Sequence, residues 1–157
     1  MDESARVFTA AGILTLVLGT VHGFSVLLEP LESSFYLSRA QASGFYSLAL
    51  ICLTIAVLGS HYLLSRISVV LNAAIVCGTA VFGLVIAALA NTAWEFGLGY
   101  GVLFGSANGF GYALSLQLAA RAYPQRRGLA IGTVTALYAV GASFFAIITG
   151  AMLKPFG

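Results

Sequence analysis

Five long apolar segments, about residues 7–28, 39–64, 67–90, 96–120 and 128–152, leave this chain few ways to fold. Every charged side chain except Arg39, the first residue of the second segment, lies between or outside them. A helix rises ~1.5 Å per residue and a bilayer core is ~30 Å thick, so about 20 apolar residues suffice to cross it. Composition agrees with that reading: 60% of residues are hydrophobic, 8% are charged, and the mean hydropathy is +1.00. An ordinary soluble domain carries about 25% charged residues, so a soluble globular enzyme is excluded. So is a disordered chain, because a sequence this apolar buries itself in something. The sequence therefore predicts an all-α, multi-pass membrane protein with about five transmembrane helices, residues 1–157 forming a single transmembrane domain.

Local signals set the expected boundaries. The first span stops at Glu29-Pro30-Leu31-Glu32, and the second begins after Ser38, a helix N-cap ahead of Arg39-Ala40-Gln41. Arg66 and Ser68 mark a very short turn before the third. Asn91-Thr92-Ala93-Trp94-Glu95 reads as the next turn, with Trp94 where an interfacial belt residue sits. Arg121 to Arg127 is the most polar loop. Met1 to Arg6 is not a basic signal-peptide n-region, so the first span is expected to remain uncleaved.

With the N-terminus inside, Arg6, Arg66, Arg121, Arg126 and Arg127 are cytoplasmic. Arg39 and Lys154 then lie outside, beside Glu29, Glu32 and Glu95, which satisfies the positive-inside rule. The expected location is the plasma (inner) membrane. A net charge of +2 gives no reason to expect nucleic acid as a partner. Cys52 and Cys77 fall inside apolar segments and read as small buried side chains, neither disulfide nor metal ligand.

The fourth span has a pattern of its own. Gly97, Gly101, Gly105 and Gly109 recur every fourth residue, overlapping small-xxx-small steps that admit another helix closely. At ~100° per residue, Asn108, Tyr112 and Ser115 project beside that ridge. Leu103, Ala107, Phe110, Leu114 and Leu118 are expected on an opposite, lipid-suited face. Gly19 with Gly23, and Gly128 with Gly132, read as further packing positions.

Tyr123-Pro124-Gln125-Arg126-Arg127-Gly128-Leu129-Ala130-Ile131-Gly132 resembles the aromatic-Pro-x-x-Arg-Gly-x-Ala-x-Gly stretch after the fourth helix in the major facilitator superfamily of secondary transporters. Gly105 to Tyr112 strengthens the likeness. Pro30-Leu31, Phe35 and Ser38-Arg39-Ala40 are similar to the oxalate:formate antiporter and monocarboxylate-porter branch. The resemblance runs over essentially the whole chain. It implies most of the N-terminal six-helix bundle of that fold, and carriage of small organic anions by alternating access. Between the second and third spans, Gly59 to Arg66 keeps the superfamily's leading glycine and one arginine but lacks its acidic residue. The superfamily has two six-helix bundles, so this length is expected to supply most of the first only, one wall of a pathway. In the anion branch, the basic residues that neutralise substrate are expected in the second half; the five spans here hold no mid-membrane Lys or Arg.

His22, between Gly19 and Gly23, is ionisable at membrane depth and so a candidate pathway residue, for an anion or for proton coupling. The alternative is a neutral histidine bonded to a neighbouring helix. Asn108, Tyr112 and Tyr138 could line the same pathway with amide and hydroxyl donors, as tyrosines do in the resembling branch, or bond helix to helix. Arg66, Arg126 and Arg127 are topology markers, or residues of a cytoplasmic gate in which Arg127 takes the motif's arginine position. No catalytic triad, metal-ligand cluster or phosphate loop is visible, so neither an enzyme nor a cofactor is expected. The expected partners are the bilayer, a small organic anion, and a second chain where one supplies the missing helices. Two competing readings stand beside the carrier: a truncated, non-transporting membrane component that packs or oligomerises through glycine-rich faces, and a small self-assembled transporter.

Overall fold

The computed structural model describes residues 2–153 and is helical almost throughout, with no strand among them. Helix α1 (Glu3–Leu18) tightens into a 3-10 stretch (Gly19–Leu27) and resumes as α2 (Leu28–Phe35). Next come α3 (Arg39–Leu64), α4 (Val69–Ala88) and the short α5 (Ala93–Phe96). The helix then widens into π-type turns over Gly97–Phe104 and continues as α6 (Gly105–Ala122). A 3-10 turn (Pro124–Arg126) leads into α7 (Arg127–Leu153). Lys154, assigned above to the outer side, lies outside the described residues.

Four helical segments are long and apolar enough to cross a membrane: Glu3–Phe35, Arg39–Tyr62, Val69–Ala88 and Pro124–Met152. The remaining anticipated span exists as the helical run from Ala93 to Ala122 but is not one of the four, because glycines, Asn108 and hydroxyl-bearing residues dilute its apolarity.

Capping explains most of the ends. The Ser38 hydroxyl accepts the Gln41 N–H at 3.4 Å while Gln41 Oε1 accepts the Ser38 N–H at 2.9 Å, a reciprocal capping box that starts α3 where expected. Thr92 and Glu95 form a second box, with N–H to side-chain distances of 3.3 and 3.1 Å. Ala93, Trp94 and Glu95 are therefore the first helical turn, not the turn anticipated. Ser68 caps Leu71 at 3.3 Å, so α4 begins two residues later than the expected Ile67. The expected stop at Glu29–Glu32 does not occur either. Pro30 sits in the first turn of α2, where a missing N–H is tolerated, and the helix runs on to Phe35. It ends at Tyr36, in the left-handed region at φ 52°, a conformation costing a non-glycine residue about 1–2 kcal/mol.

The residues fall into two compact units: those up to Val26 with those from Tyr112 onward, and Leu27–Gly111. In the first unit, α1 and its 3-10 extension run parallel to α7. A Cβ added at Gly19 would strike the Tyr138 carbonyl, and one at Gly141 the Leu16 carbonyl, so here backbone lies on backbone. Gly12 and Gly23 receive Leu137 and Phe145. Ala11, Ala119, Ala130 and Val134 form the core beside Phe8, Leu116 and Leu118.

In the second unit, the glycine ridge faces α3. Cβ atoms at Gly97, Gly101 and Gly105 would come within 3.3 Å of Phe45, 2.7 Å of Leu48 and 2.7 Å of the Ala49 carbonyl, and one at Gly109 would strike the Leu53 carbonyl. The π-widened turns also meet α4 antiparallel, at Gly83 against Gly99. A Cβ at either would sit 2.6–2.7 Å from the other's carbonyl oxygen. Glycines thus serve two faces of one helix, and Gly12, Gly83, Gly99 and Gly141 extend the set read from sequence. Gly128 and Gly132, expected to pack, have open space instead: a Cβ at either would meet nothing within 4 Å. The side of α7 that carries these two glycines faces outward, while Ala130 between them is in the core.

The expected greasy face of the fourth span is also corrected. Ala107 and Leu114 are buried, and Leu103, Phe110 and Leu118 are half-buried, so this side is not an open apolar face, while Leu98 and Val102 of the same run are exposed. The outward apolar surface lies instead on α3, α4 and α7, where Leu58, Val70 and Ile147 are 78%, 80% and 71% exposed. Cys52 and Cys77 are free thiols, but Cys52 is only half-buried and Cys77 is exposed on α4, rather than both being buried.

Gly141→Ala should lower stability by about 1–3 kcal/mol, because the methyl group drives two backbones apart. Gly132→Ala, with open space around it, should raise stability by up to about 1 kcal/mol through helix propensity alone. Unfolding of the two variants in detergent measures the contrast.

Candidate functional site

The 3-10 stretch decides where His22 points. At three residues per turn, positions i and i+3 eclipse, so His22 stands above Gly19. Gly19 has no side chain and lies against the Tyr138 carbonyl, so its neighbour on that face meets the Tyr138 ring. The His22 and Tyr138 rings are edge-on, with centroids 5.1 Å apart and planes at 88°. Tyr138 in turn lies against Tyr112 of α6 at 4.9 Å. The Tyr112 hydroxyl reaches the Thr135 hydroxyl at 3.3 Å. His22, Tyr138, Tyr112 and Thr135 therefore form one continuous line of polar groups across three helical segments of the first unit.

His22 and Thr135 are exposed, and the two tyrosines are half-buried. The apolar stretches that carry these residues, 7–28, 96–120 and 128–152, contain no carboxylate. The line consequently offers imidazole and hydroxyl groups, all able to donate a hydrogen bond, with no fixed negative charge beside them. Thr135 was not anticipated from sequence. The available signal was its spacing, three residues before Tyr138 and so on the same side of α7.

Asn108 belongs to the second unit and is fully buried. Gln117 is half-buried. Arg66 lies with its guanidinium 4.1 Å from the centroid of the Tyr62 ring, a cation–π contact at the end of α3. Arg126 borders a cavity at the start of α7, while Arg127 is the exposed first residue of that helix. A second cavity, of about 410 Å³, is lined in the other unit by Pro30, Leu31, Phe35, Asn91 and Phe96 among others and carries no ionisable group. No group of three or more His, Cys, Asp or Glu side chains is placed to hold a metal ion among the described residues.

No family model, curated protein or solved structure matches the chain.

Tyr112→Phe and Thr135→Val should each cost about 0.5–1.5 kcal/mol of stability, the usual net value of one hydrogen bond. The double variant should cost less than the sum by about 0.6 kcal/mol, the average coupling seen for such pairs between membrane helices. A double-mutant cycle on unfolding in detergent measures that coupling.

Proposed function

We propose that the chain is the N-terminal part of a secondary carrier for small organic anions, of the major facilitator type, working by alternating access. The observation that carries this reading is the line of His22, Tyr138, Tyr112 and Thr135, a set of hydrogen-bond donors without a carboxylate inside strongly apolar segments. Polar groups at membrane depth are costly and tend to mark substrate or ion pathways. Neutral donors of this kind suit a monocarboxylate or an oxalate- or formate-like anion. The sequence around Tyr123 to Gly132 supports the superfamily assignment by its resemblance.

The reading takes the helix from Ala93 to Ala122 as a fifth span. Its glycine-rich part lies antiparallel to α4 and parallel to α3 within one unit, so it crosses if they cross. Its lower apolarity fits the burial of most of residues 97–120, since a helix packed largely against protein presents little lipid surface. Arg66, Arg126 and Arg127, all at helix ends, take the role of inner-side topology and gate residues, with the N-terminus cytoplasmic.

The alternative, a non-transporting component that oligomerises through glycine faces, draws less support. Gly97, Gly101, Gly105 and Gly109 are already occupied by α3 of the same chain, and Gly19 by α7.

The test is uptake of labelled formate, oxalate or lactate into proteoliposomes holding the chain with any further segment its gene encodes. Saturable uptake of one of these is expected. His22→Leu, which removes both imidazole nitrogens, should lower kcat/KM about tenfold, the effect of losing one hydrogen bond to a charged ligand. Failure to find saturable uptake of any of the three would overturn the reading.

A further inference from the structure

At the end of the first unit where α1 and α7 both begin, Phe8, Tyr123, Gln125, Arg126, Leu129 and Thr133 help to line a cavity of about 460 Å³. Its wall is divided in chemistry. Phe8 and Tyr123 meet edge-on with centroids 5.2 Å apart, and the exposed Leu129 extends that apolar side along α7. The Thr133 hydroxyl is bonded to the Leu129 carbonyl at 2.9 Å, so it adds little polarity of its own. Arg126 and Gln125 come from the 3-10 turn and supply the polar side.

The charge around this cavity is one-sided. Arg121, Arg126 and Arg127 are all exposed, and none is held in an ion pair among the described residues. The described carboxylates of this unit are Asp2 and Glu3, at the opening of α1, and Asp2 is engaged as the cap of that helix. Asp2 lies six residues before Phe8, about 9 Å along a helix. A guanidinium that is not paired, next to an amide donor and above an aromatic and aliphatic wall, matches a ligand with an anionic head and an apolar tail. Arginine is the side chain best shaped to grip phosphate oxygens in pairs.

We propose that this cavity binds one anionic phospholipid, its phosphate at Arg126 and Gln125 and an acyl chain along Phe8 and Leu129. The proposal rests on the membrane-embedded reading given above, though not on the identity of any transported substrate. A free phosphate uses only the polar side and leaves the apolar wall without a partner. The lipid uses both, and it arrives from the bilayer beside the exposed apolar surface of α7.

The experiment is native mass spectrometry of the full chain in a non-ionic detergent, titrated with phosphatidylglycerol or phosphatidylcholine. One phosphatidylglycerol should bind at least about fivefold more tightly than phosphatidylcholine, the factor expected for one arginine at an anionic lipid surface. Arg126→Gln should abolish that preference, whereas Arg39→Gln, at the start of α3 in the other unit, should preserve it. Ala122 also lines the cavity, so Ala122→Phe, which fills it without changing charge, should weaken binding of both lipids. Helix content by circular dichroism checks that each variant is folded. Equal affinity for the two lipids, an unchanged preference in Arg126→Gln, or displacement of the lipid by millimolar inorganic phosphate would each overturn the proposal. Extraction of cell membranes with alkaline carbonate separates this failure from failure of the underlying reading. A chain released into the supernatant removes the membrane premise; one that stays in the pellet but does not distinguish lipids removes the lipid site alone.

Discussion

The tightest constraint in this structure is the approach of one helix backbone to another where no side chain intervenes. At Gly19 against the Tyr138 carbonyl, Gly141 against the Leu16 carbonyl, and Gly83 against Gly99, a single methyl group has no room. A chain surrounded by lipid gains no hydrophobic driving force from bringing its helices together, so close van der Waals packing must supply the specificity. Glycine allows that packing at a cost in helix propensity of about 1 kcal/mol per position. Cooperation among several such crossings fixes how each pair of helices is registered. The polar groups depend on it: with Gly19 lying on α7, the 3-10 geometry directs His22 onto the ring of Tyr138.

Much of this was legible in the sequence, and what was missed has physical causes. The apolar runs marked the long helices, and Ser38 marked one start, because both are local properties of a few neighbouring residues. The Gly97 to Gly109 ridge was readable because its period matches the helix. Gly12, Gly83, Gly99 and Gly141 lack such a period. Each is meaningful only through its partner: Leu137 for Gly12, Gly99 for Gly83, Leu16 for Gly141. Gly128 and Gly132 show the converse, a correct four-residue spacing on a surface that no described helix covers. Spacing reports which residues share a face and says nothing of what the face meets.

The same distinction accounts for the fourth span. Its two-faced division into glycine and bulky residues was real as a pattern, yet the bulky side is not an open apolar face. The π-type widening over Gly97–Phe104 also shifts side chains from ideal 100° positions, so a helical wheel drawn through it loses phase. At the site, His22, Tyr112 and Tyr138 were legible as isolated polar residues in apolar runs. Their union into one line was not, because it requires the register of three helical segments. Thr135 escaped notice since a threonine in an apolar helix bonds its own backbone as readily as a neighbour's side chain.

Under the carrier reading, the absence of arginine and lysine from the middle of the spans has a consequence for how an anion would be held. An arginine at the centre of a membrane helix costs ~2.5–3.5 kcal/mol by insertion scales, and it binds an anion strongly once there. A line of imidazole and hydroxyl donors costs less to embed and binds more weakly. Passage through a membrane needs binding favourable enough to admit a ligand and weak enough to release it. The arginines stand instead at helix ends, where Arg66 rests on Tyr62 and Arg126 borders a cavity. Strong cationic contacts are thus kept for the edges of the spans, and neutral, reversible contacts for their interior. Any full charge needed to balance an anion at depth would have to come from helices other than these, which places selectivity for charge and selectivity for shape on different parts of the carrier.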